Sequence, residues 1–439
     1  MTETTYGTRL DDLAGNRNFR LDRLTHLTQH TYALILAGGR GSRLQQLTAS
    51  RAKPSMPFAG MLNIIDFPLS NCINSGIRRI GVLTQYKAQS LIRHIEHGWG
   101  FLEVNLGEFI DVVPAQQRLD ENWYTGTANA VYQNLDIVRD ANPEHVLVLA
   151  GDHIYKMDYA RLLADHVRSE ATVTVACIEV PIEYALGFGI VQVEADGRIS
   201  RFDEKPAHPQ ALNGRPGQVL ASMGIYVFGR QFLCDHLARD AADTASSHDF
   251  GHDILPWLVP RHRVVAHRFE QSCVNMVGER PYWRDVGTVD AYWEANMDLV
   301  RLEPELNLYD DNWPILSLQR QLPPAKFVFD SADRRGSAVD SLVCSGCIVS
   351  GATVRRSILF TKVRVGEGSL VEDSLVLPNV SVGRRVQLRR AIVDKHCVLP
   401  DDFSAGLRPE VDRQRFHVTS RGVTLITPEM LGQPARSCG

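Results

Sequence analysis

The sequence predicts an α/β domain with a mostly parallel sheet, followed by a β-helix of hexapeptide repeats. Between residue 32 and about residue 300, buried strand patterns such as 32–37 and 145–150 alternate with helical patterns. This alternation is typical of a parallel sheet covered by helices. Beyond a proline-rich stretch, short aliphatic units recur at a nearly constant step, as in a solenoid. A chain of 439 residues is long enough for two such domains.

The composition excludes several classes of protein. With 44% hydrophobic and 22% charged residues, the chain is an ordinary globular protein, and its net charge of −4 gives no basic footprint for nucleic acid or a membrane. No apolar run approaches the roughly 20 residues of a membrane span, and residues 1–30 form a polar leader unlike a signal peptide. The eight scattered cysteines favour reduced thiols in the cytoplasm. We therefore expect a cytoplasmic protein with neither nucleic acid nor a membrane as partner.

A glycine-rich loop follows the first predicted strand and contains Gly38, Gly39, Arg40, Gly41 and Arg43. Glycines just after a strand expose backbone N–H groups that can hold phosphate oxygens. The two arginines add fork-shaped donors that suit phosphate. The spacing fits neither a Walker A loop nor a complete dinucleotide fingerprint. The loop predicts a triphosphate site, and the alternative is a glycine-rich turn with surface arginines.

Two aspartates are candidates for metal binding. Asp152 follows the strand pattern at 145–150, and a carboxylate at the end of a parallel strand is well placed for Mg²⁺. A helix cap or a turn is the alternative role for Asp152. Asp285 either pairs with its neighbour Arg284 or joins Asp152 at a metal, and the spacing leaves both open.

Two lysines and an aromatic residue are further candidates for ligand binding. Lys53 and Lys205 each precede a proline, so each could clamp a phosphate or form a solvated surface pair. Tyr124, two residues before Gly126, could stack on a base or sugar, or pack in the core. The chain contains no nucleophile elbow and no metalloprotease pattern, which argues against hydrolysis through a side-chain nucleophile.

The C-terminal repeat begins after a proline-rich stretch at residues 303–324, which we interpret as a linker. Beyond it, aliphatic centres at Leu342, Ile358, Leu375 and Ile392 follow one another at steps of 16, 17 and 17 residues. Stacked coils with this step bury a column that no single coil could bury. A sandwich, the alternative, usually has strands every 8–12 residues. We therefore divide the chain into a domain at 1–302, a linker at 303–324 and a β-helix at 325–439.

Taken together, these stretches resemble the ADP-glucose pyrophosphorylase, or glucose-1-phosphate adenylyltransferase, family. The resemblance runs from about residue 32 to about residue 430. The matching blocks are LILAGGRGSRL, RAKPSMPF, IIDFPLSNCINSGIRRIGVLTQY, PAQQR, NWYTGTANAVYQNLD, LAGDHIYKMDY, FDEKP, ASMGIYVF, SSHDFGHDILP, YWRDVGTVDAYW and PPAKFVF.

The resemblance implies a Rossmann-like nucleotidyltransferase domain and a left-handed parallel β-helix. It also implies a homotetramer, a Mg²⁺ requirement, a metabolite effector and a role in bacterial glycogen synthesis. The reaction would transfer an adenylyl group from ATP to α-D-glucose 1-phosphate and release pyrophosphate. The alternatives are another sugar-1-phosphate nucleotidyltransferase that uses UTP or GTP, and a non-catalytic regulatory subunit.

The motif matches also imply roles for single residues. The residues implied in catalysis are Arg43, Lys53, Asp152 and Asp285, and the two aspartates would bind the metal. The residues implied in nucleotide binding are Gly38, Gly39, Arg40, Gly41 and Gln117. The residues implied in the glucose 1-phosphate pocket are Tyr124, Gly189, Glu204, Lys205 and Ser222.

One departure from the family concerns regulation. Relatives that respond to fructose 1,6-bisphosphate often carry basic residues where this chain has Ser50, Pro57 and Asn63, which argues against that activator. Basic residues of the repeat region leave another anionic effector open, and a solvated basic edge is the alternative. These residues are Arg384, Arg385, Arg389, Arg390 and Lys395.

Overall fold

A computed structural model describes residues 23–39, 41–116, 123–212, 214–276, 280–331 and 333–434. Most of the polar leader lies outside the described residues, and the described part forms helix α1 (residues 23–29). Among the helices described, not one combines the length and the apolar character that crossing a membrane requires.

Strands and helices alternate through the first part of the chain. The strands are β1 (Thr31–Leu36), β2 (Pro57–Phe58), β3 (Leu62–Asn63), β4 (Arg79–Thr84), β5 (Phe109–Pro114), β6 (His145–Ala150), β7 (His153–Tyr155), β8 (Val173–Pro181), β9 (Gly189–Val193), β10 (Ile199–Glu204), β11 (Gln218–Gly229), β12 (Val264–Arg268) and β13 (Trp283–Asp285). The helices after α1 are α2 (Asp66–Asn74), α3 (Gln89–Gly98), α4 (Thr127–Tyr132), α5 (Leu135–Ala141), α6 (Tyr159–Arg168), α7 (Arg230–Ala241), α8 (Leu255–Leu258) and α9 (Val289–Met297).

The large sheet has the strand order β10-β9-β11-β6-β1-β4-β5, and β8 joins β11 to β12. Strands β6, β1, β4 and β5 are parallel, which confirms the predicted parallel sheet, while β11 extends it antiparallel to β6. Strands β1 and β6 are almost continuously apolar because helices cover both faces of the sheet. Leu36 at the end of β1 lies in register with Ala150 at the end of β6. The segments that follow these two residues therefore leave the sheet side by side.

The second part of the chain forms a parallel β-helix with three sheets. Its elements are β14 (Lys326–Val328), β15 (Ser337–Val339), β16 (Leu342–Val343), β17 (Ile348–Ser350), β18 (Thr353–Arg355), β19 (Ile358–Leu359), β20 (Arg364–Val365), β21 (Leu370–Glu372), β22 (Leu375–Val376), β23 (Ser381–Val382), β24 (Gln387–Arg389), β25 (Ala391–Val393), β26 (Val398–Leu399), β27 (Ser404–Ala405), α10 (Pro409–Asp412), β28 (His417–Val418) and β29 (Thr424–Ile426). Leu342, Ile358, Leu375 and Ile392 pair in this order down one sheet, as their spacing predicted.

A ladder of serines explains why a serine precedes most of these aliphatic pairs. The Oγ of Ser341 accepts a hydrogen bond from the N–H of Ser357 at 3.1 Å, and the Oγ of Ser357 accepts one from Ser374 at 3.0 Å. Ser374 repeats the contact with the N–H of Ala391 at 3.1 Å, where the ladder ends because Ala391 has no hydroxyl. Each hydroxyl thus satisfies a backbone donor of the next coil, and the hydroxyls of Ser357 and Ser374 do so in the buried interior.

The two parts of the chain share a hydrophobic cluster. Met56 and Phe58 of the first part belong to the same buried cluster as Phe360 and Leu377 of the β-helix. At the edge of this cluster the buried guanidinium of Arg51 forms a salt bridge with Asp394 of the β-helix. The junction is thus both apolar and ion-paired.

The stretch interpreted as a linker lies along α2. The indole N–H of Trp313 donates to Asn71 Oδ1 at 3.0 Å, and Asn74 Nδ2 donates to the carbonyl of Pro314 at 2.9 Å. The Ser317 hydroxyl donates to the buried carboxylate of Asp66 at 2.6 Å. These contacts fix the path of the chain between the parallel sheet and the β-helix.

We expect Asp394→Ala to lower the free energy of unfolding by about 3 kcal/mol or more, because it removes the carboxylate from a buried guanidinium. Urea unfolding measures this loss. Asp402→Ala is the matched control: Asp402 pairs with Arg385 on the surface of the same β-helix, so its removal should cause no measurable loss. Equal effects of the two substitutions would contradict the proposed contribution of the buried pair.

Candidate active site

The glycine-rich loop opens into a cleft of about 570 Å³ at the carboxyl ends of β1 and β6. Gly38, Gly39, Gly41 and Arg43 line one side of the cleft. Gly41 has a left-handed backbone with φ 60°, which glycine adopts without strain and which turns the chain into a short 3-10 helix at Ser42–Thr48. The loop thus lies where ligands of parallel sheets bind.

Lys53 joins two carboxylates at the floor of this cleft. Its Nζ lies 2.9 Å from Asp152 Oδ2 and 2.7 Å from Asp285 Oδ1, and its side chain is buried. Asp152 directly follows β6, and the antiparallel pairing of β13 with β7 places Asp285 opposite His153. The three charged groups, distant in sequence, are therefore brought together by the sheet and by one short strand pair.

Burial and neighbouring charges act in opposite directions on the pKa values of Lys53 and Asp152. Burial alone would lower the pKa of the Lys53 ammonium, but the charges of Asp152 and Asp285 outweigh it and raise that pKa. Burial alone would raise the pKa of the Asp152 carboxyl, but Lys53, His153 and Arg43 outweigh it and hold that pKa below its ordinary value. Lysine and aspartate are therefore both charged over the physiological range.

The structure places Asp285 beside Asp152 and gives its neighbour Arg284 other partners. Arg284 points away and pairs with Glu305 at 3.0 Å and with Asp298 at 3.6 Å. Asp285 instead lies near Asp152 and His153, and one ligand atom from each of these three residues lies within 4.8 Å of the others. Two carboxylates at this spacing offer the oxygen ligands that a hard divalent cation prefers. Helix capping falls to Asp158, which caps α6, and not to Asp152.

The opposite side of the cleft contains three of the five residues expected around a sugar phosphate. Tyr124, Glu204 and Lys205 line the cleft directly. Gly189 lies behind it in register with Glu204, and a Cβ at Gly189 would come within 2.9 Å of Glu204 Oε2. The Ser222 hydroxyl, also behind the wall, accepts a hydrogen bond from the amide of Gly224 at 3.3 Å.

Lys205 has an unusual backbone for its sequence position. Its φ is 47°, in the left-handed region, although a residue before proline is normally extended. Its amide donates to the carbonyl of Phe188 at 3.1 Å, and its ammonium contacts Glu204 Oε1 at 2.6 Å. Such strain persists only where the surroundings enforce it, and strained residues cluster at functional sites.

Tyr124 both packs and faces the cleft, so the two roles considered for it are compatible. Its ring packs against the hydrophobic core, and its hydroxyl accepts a hydrogen bond from Asn134 Nδ2 at 2.8 Å. Gly126 allows a close approach here, because a Cβ would lie 2.2 Å from the carbonyl oxygen of His248. Arg40 and Gln117 lie outside the described residues.

Sequence reasoning assigned no role to a further wall of the cleft, which contains Thr127, Asp249 and Gly251. Asp249 accepts from the Thr127 hydroxyl at 2.9 Å and from the amides of Gly251 and His252 at 2.9 and 3.1 Å. A Cβ at Gly251 would come within 2.5 Å of Glu204 Oε2, so glycine makes room for that carboxylate. The block SSHDFGHDILP was the signal that could have found this wall.

Comparison with known families agrees with this architecture. The family model described as nucleotidyl transferase matches residues 32–301, and the model described as GlmU-like, C-terminal hexapeptide matches residues 323–426. The second match confirms the expected left-handed parallel β-helix of hexapeptide repeats. The fold and the cleft thus define a nucleotidyl transferase.

Similar proteins identify the family within the nucleotidyl transferases, and the relatives described below are each named glucose-1-phosphate adenylyltransferase. The relative from Nitrosospira multiformis is 63% identical over 409 residues, which cover 93% of this chain and 96% of that protein. The relative from Dechloromonas aromatica is 59% identical over 413 residues, or 94% of each chain. The relative from Paramagnetospirillum magneticum is 62% identical over 403 residues, or 91% of this chain and 94% of that protein. The chain belongs to the glucose-1-phosphate adenylyltransferase family.

We expect Lys53→Met to destabilise the protein more at pH 7.5 than at pH 4.5. In the wild type, the lowered pKa of Asp152 contributes stability above the ordinary aspartate pKa of about 4, and this contribution is lost as the pH falls through the folded-state pKa. Without the ammonium, we expect burial and the neighbouring carboxylate to outweigh His153 and Arg43 and to raise the pKa of Asp152 above its unfolded value, so the variant should regain relative stability in acid. Each pKa unit corresponds to about 1.4 kcal/mol.

Urea unfolding of both proteins across this pH range measures the difference. Lys326→Met, at an exposed lysine of the β-helix, is the control for loss of one positive charge. A difference between wild type and Lys53→Met that stays constant with pH would count against the charge coupling.

Proposed function

We propose that this protein transfers the adenylyl group of ATP to α-D-glucose 1-phosphate and releases pyrophosphate. The observation that carries the proposal is the cluster of Lys53, Asp152 and Asp285, which faces the glycine-rich loop on one side and Lys205 on the other within a single cleft. The names of the relatives supply glucose 1-phosphate as the acceptor and adenylyl as the transferred group, and ATP is the adenylyl donor that the family resemblance implies.

The chemistry needs little from the protein besides charge and alignment. The second pKa of a phosphate monoester is about 6, so glucose 1-phosphate is mostly a dianion at neutral pH and needs no general base. Its oxygen attacks the α-phosphorus of ATP in line with the departing pyrophosphate. Because both reactants are anions, the site must offset their repulsion and hold the reacting atoms in line.

Each group of the cleft has a place in this scheme. The amides of the glycine-rich loop and Arg43 bind the triphosphate, and Lys53 sits beside the reacting phosphates. Lys205 binds the phosphate of the sugar, while Tyr124 and Glu204 contact the sugar itself. Gly189 and Ser222 support this wall from behind. Arg40 and Gln117 are further proposed nucleotide contacts outside the described residues.

Asp152 and Asp285 are the residues that would hold Mg²⁺, since their donor set is two carboxylates from neighbouring strand ends. A bound Mg²⁺ would supply positive charge to the phosphate oxygens. Lys53 prepares this pair, because its ammonium lies within 2.9 Å of one oxygen of Asp152 and within 2.7 Å of one oxygen of Asp285 and so offsets the repulsion between them.

We extend the proposal to glycogen synthesis in the cytoplasm, to a homotetramer and to a metabolite effector, on the basis of the family resemblance. The first coil of the β-helix exposes Phe327, Phe329 and Val339, and such an apolar edge supports association between subunits. Of the basic edge considered for an effector, Arg385 already pairs with Asp402. An effector at this edge would have to compete with that ion pair.

Pyrophosphate release from ATP, UTP or GTP with glucose 1-phosphate, with and without Mg²⁺, tests the function. We expect ATP with Mg²⁺ to be the preferred combination. We expect Asp152→Asn to be folded but inactive, and any pyrophosphate release that remains in this variant measures the contribution of contaminating enzymes. Preference for UTP or GTP would identify another sugar nucleotidyltransferase. Binding of ADP-glucose without any turnover would identify a regulatory subunit.

We expect Lys205→Ala to raise the KM for glucose 1-phosphate by roughly 10- to 100-fold with a smaller effect on the KM for ATP. The reason is the loss of a charge-assisted hydrogen bond, worth about 1.5–3 kcal/mol. Steady-state kinetics measure both constants. Lys326→Ala is the control, and an unchanged KM for the sugar phosphate in Lys205→Ala would remove this lysine from the phosphate site.

A further inference from the structure

A second group of metal-ligating side chains lies at the end of the sheet opposite the cleft. His26 and His30 belong to α1 and the turn that follows it, and Glu144 precedes β6. Because β1 and β6 are parallel neighbours with Thr31 in register with His145, the chain segments that enter the two strands also lie side by side. The three residues meet there, far from Asp152 and Lys53.

The side chains converge in the way that a metal site requires. One ligand atom from each residue lies within 4.8 Å of the other two, and His26 Nε2 lies 3.9 Å from Glu144 Oε1. The two histidines are four residues apart, which places them on one helical face, and their rings stack with centroids 4.0 Å apart. About half of the His26 and Glu144 side chains is exposed, so water can reach the group.

Backbone hydrogen bonds hold this arrangement in place. The amide of Glu144 donates to the carbonyl of His30 at 2.8 Å, which ties the glutamate to the end of α1. His30 Nδ1 lies 2.9 Å from the carbonyl oxygen of His26, and because a carbonyl can only accept, Nδ1 carries the proton. The lone pair of a neutral His30 is therefore on Nε2, as in metal-binding histidines whose other nitrogen is held by a carbonyl.

We propose that His26, His30 and Glu144 form a binding site for a divalent transition-metal ion, with Zn²⁺ as the reference ion. Two imidazole nitrogens and one carboxylate oxygen are ligands that suit Zn²⁺, Ni²⁺ or Cu²⁺, whereas Mg²⁺ prefers oxygen alone. With metal–nitrogen bonds of about 2.0–2.1 Å, the ligand atoms must move closer, which rotation of the exposed side chains permits. Water completes the coordination.

The bound ion would connect α1 to the residue before β6. Binding to the folded chain alone raises stability by mass action, so the ion would act as a clamp at the start of the sheet. The alternative is a stacked histidine pair beside a surface glutamate, without affinity for metal. A metal site and a stacked pair without metal affinity differ in the heat of Zn²⁺ binding and in the nitrogen coupling of bound Cu²⁺, and both can be measured on the full chain.

Isothermal titration of the chelator-stripped full chain with Zn²⁺, in excess Mg²⁺, tests the site. We expect the wild type to bind one Zn²⁺ ion. His26→Ala and Glu144→Gln should each bind Zn²⁺ about tenfold more weakly or worse. His208→Ala, a control at an exposed histidine elsewhere in the chain, should bind Zn²⁺ as the wild type does. Zn²⁺ should also raise the thermal midpoint of the wild type but not that of His26→Ala. Equal Zn²⁺ affinity in the wild type and both site variants would overturn the proposal.

Electron paramagnetic resonance with Cu²⁺ gives a second readout that does not depend on stability. Coupling to two imidazole nitrogens is expected in the wild type and to one in His26→Ala. Adenylyl transfer with Mg²⁺ should be unchanged in these variants, because the residues lie away from the cleft. A Cu²⁺ signal without nitrogen coupling in the wild type would exclude the two histidines as ligands.

Discussion

The position of the Lys53 ammonium between two carboxylates is the constraint on which the rest of the active site depends. Asp152 follows β6, and Asp285 ends β13, which pairs with β7. Without the lysine, two carboxylates this close would repel each other. The buried lysine makes their approach compatible with folding. It also leaves the pair as a ready oxygen site at the base of a cleft that must receive highly charged anions.

The same short segment connects the cleft to the β-helix. Arg51, two residues before Lys53, is buried and pairs with Asp394 of the β-helix. The Arg51 Nε also donates to the carbonyl of Leu47 at 2.8 Å, at the end of the 3-10 helix that follows the glycine-rich loop. Residues 47–53 therefore contact both the β-helix, through Arg51, and the glycine-rich side of the cleft, through Lys53.

Sequence reasoning predicted the parts of the fold whose signal is local and periodic. The nearly constant step of Leu342, Ile358 and Leu375 fixes the register of the β-helix, and the apolar runs of β1 and β6 place the loop and Asp152 at one edge of the sheet. Contacts between distant segments carry no such signal. Asp285 joins Asp152 through a strand of three residues, and Asp394 meets Arg51 across 343 positions.

The two lysines of the cleft show how the site divides its tasks. Lys53 is almost fully buried between two carboxylates, so its position is set before any ligand arrives. Lys205 has 60% of its side chain exposed. Within the part of the chain that the structure describes, its ammonium pairs with one carboxylate, that of the adjacent Glu204. The left-handed backbone of Lys205 is held by a hydrogen bond from its amide to the Phe188 carbonyl. Preorganised charge thus lies beside the two aspartates, and a more exposed charge lies on the opposite wall of the cleft.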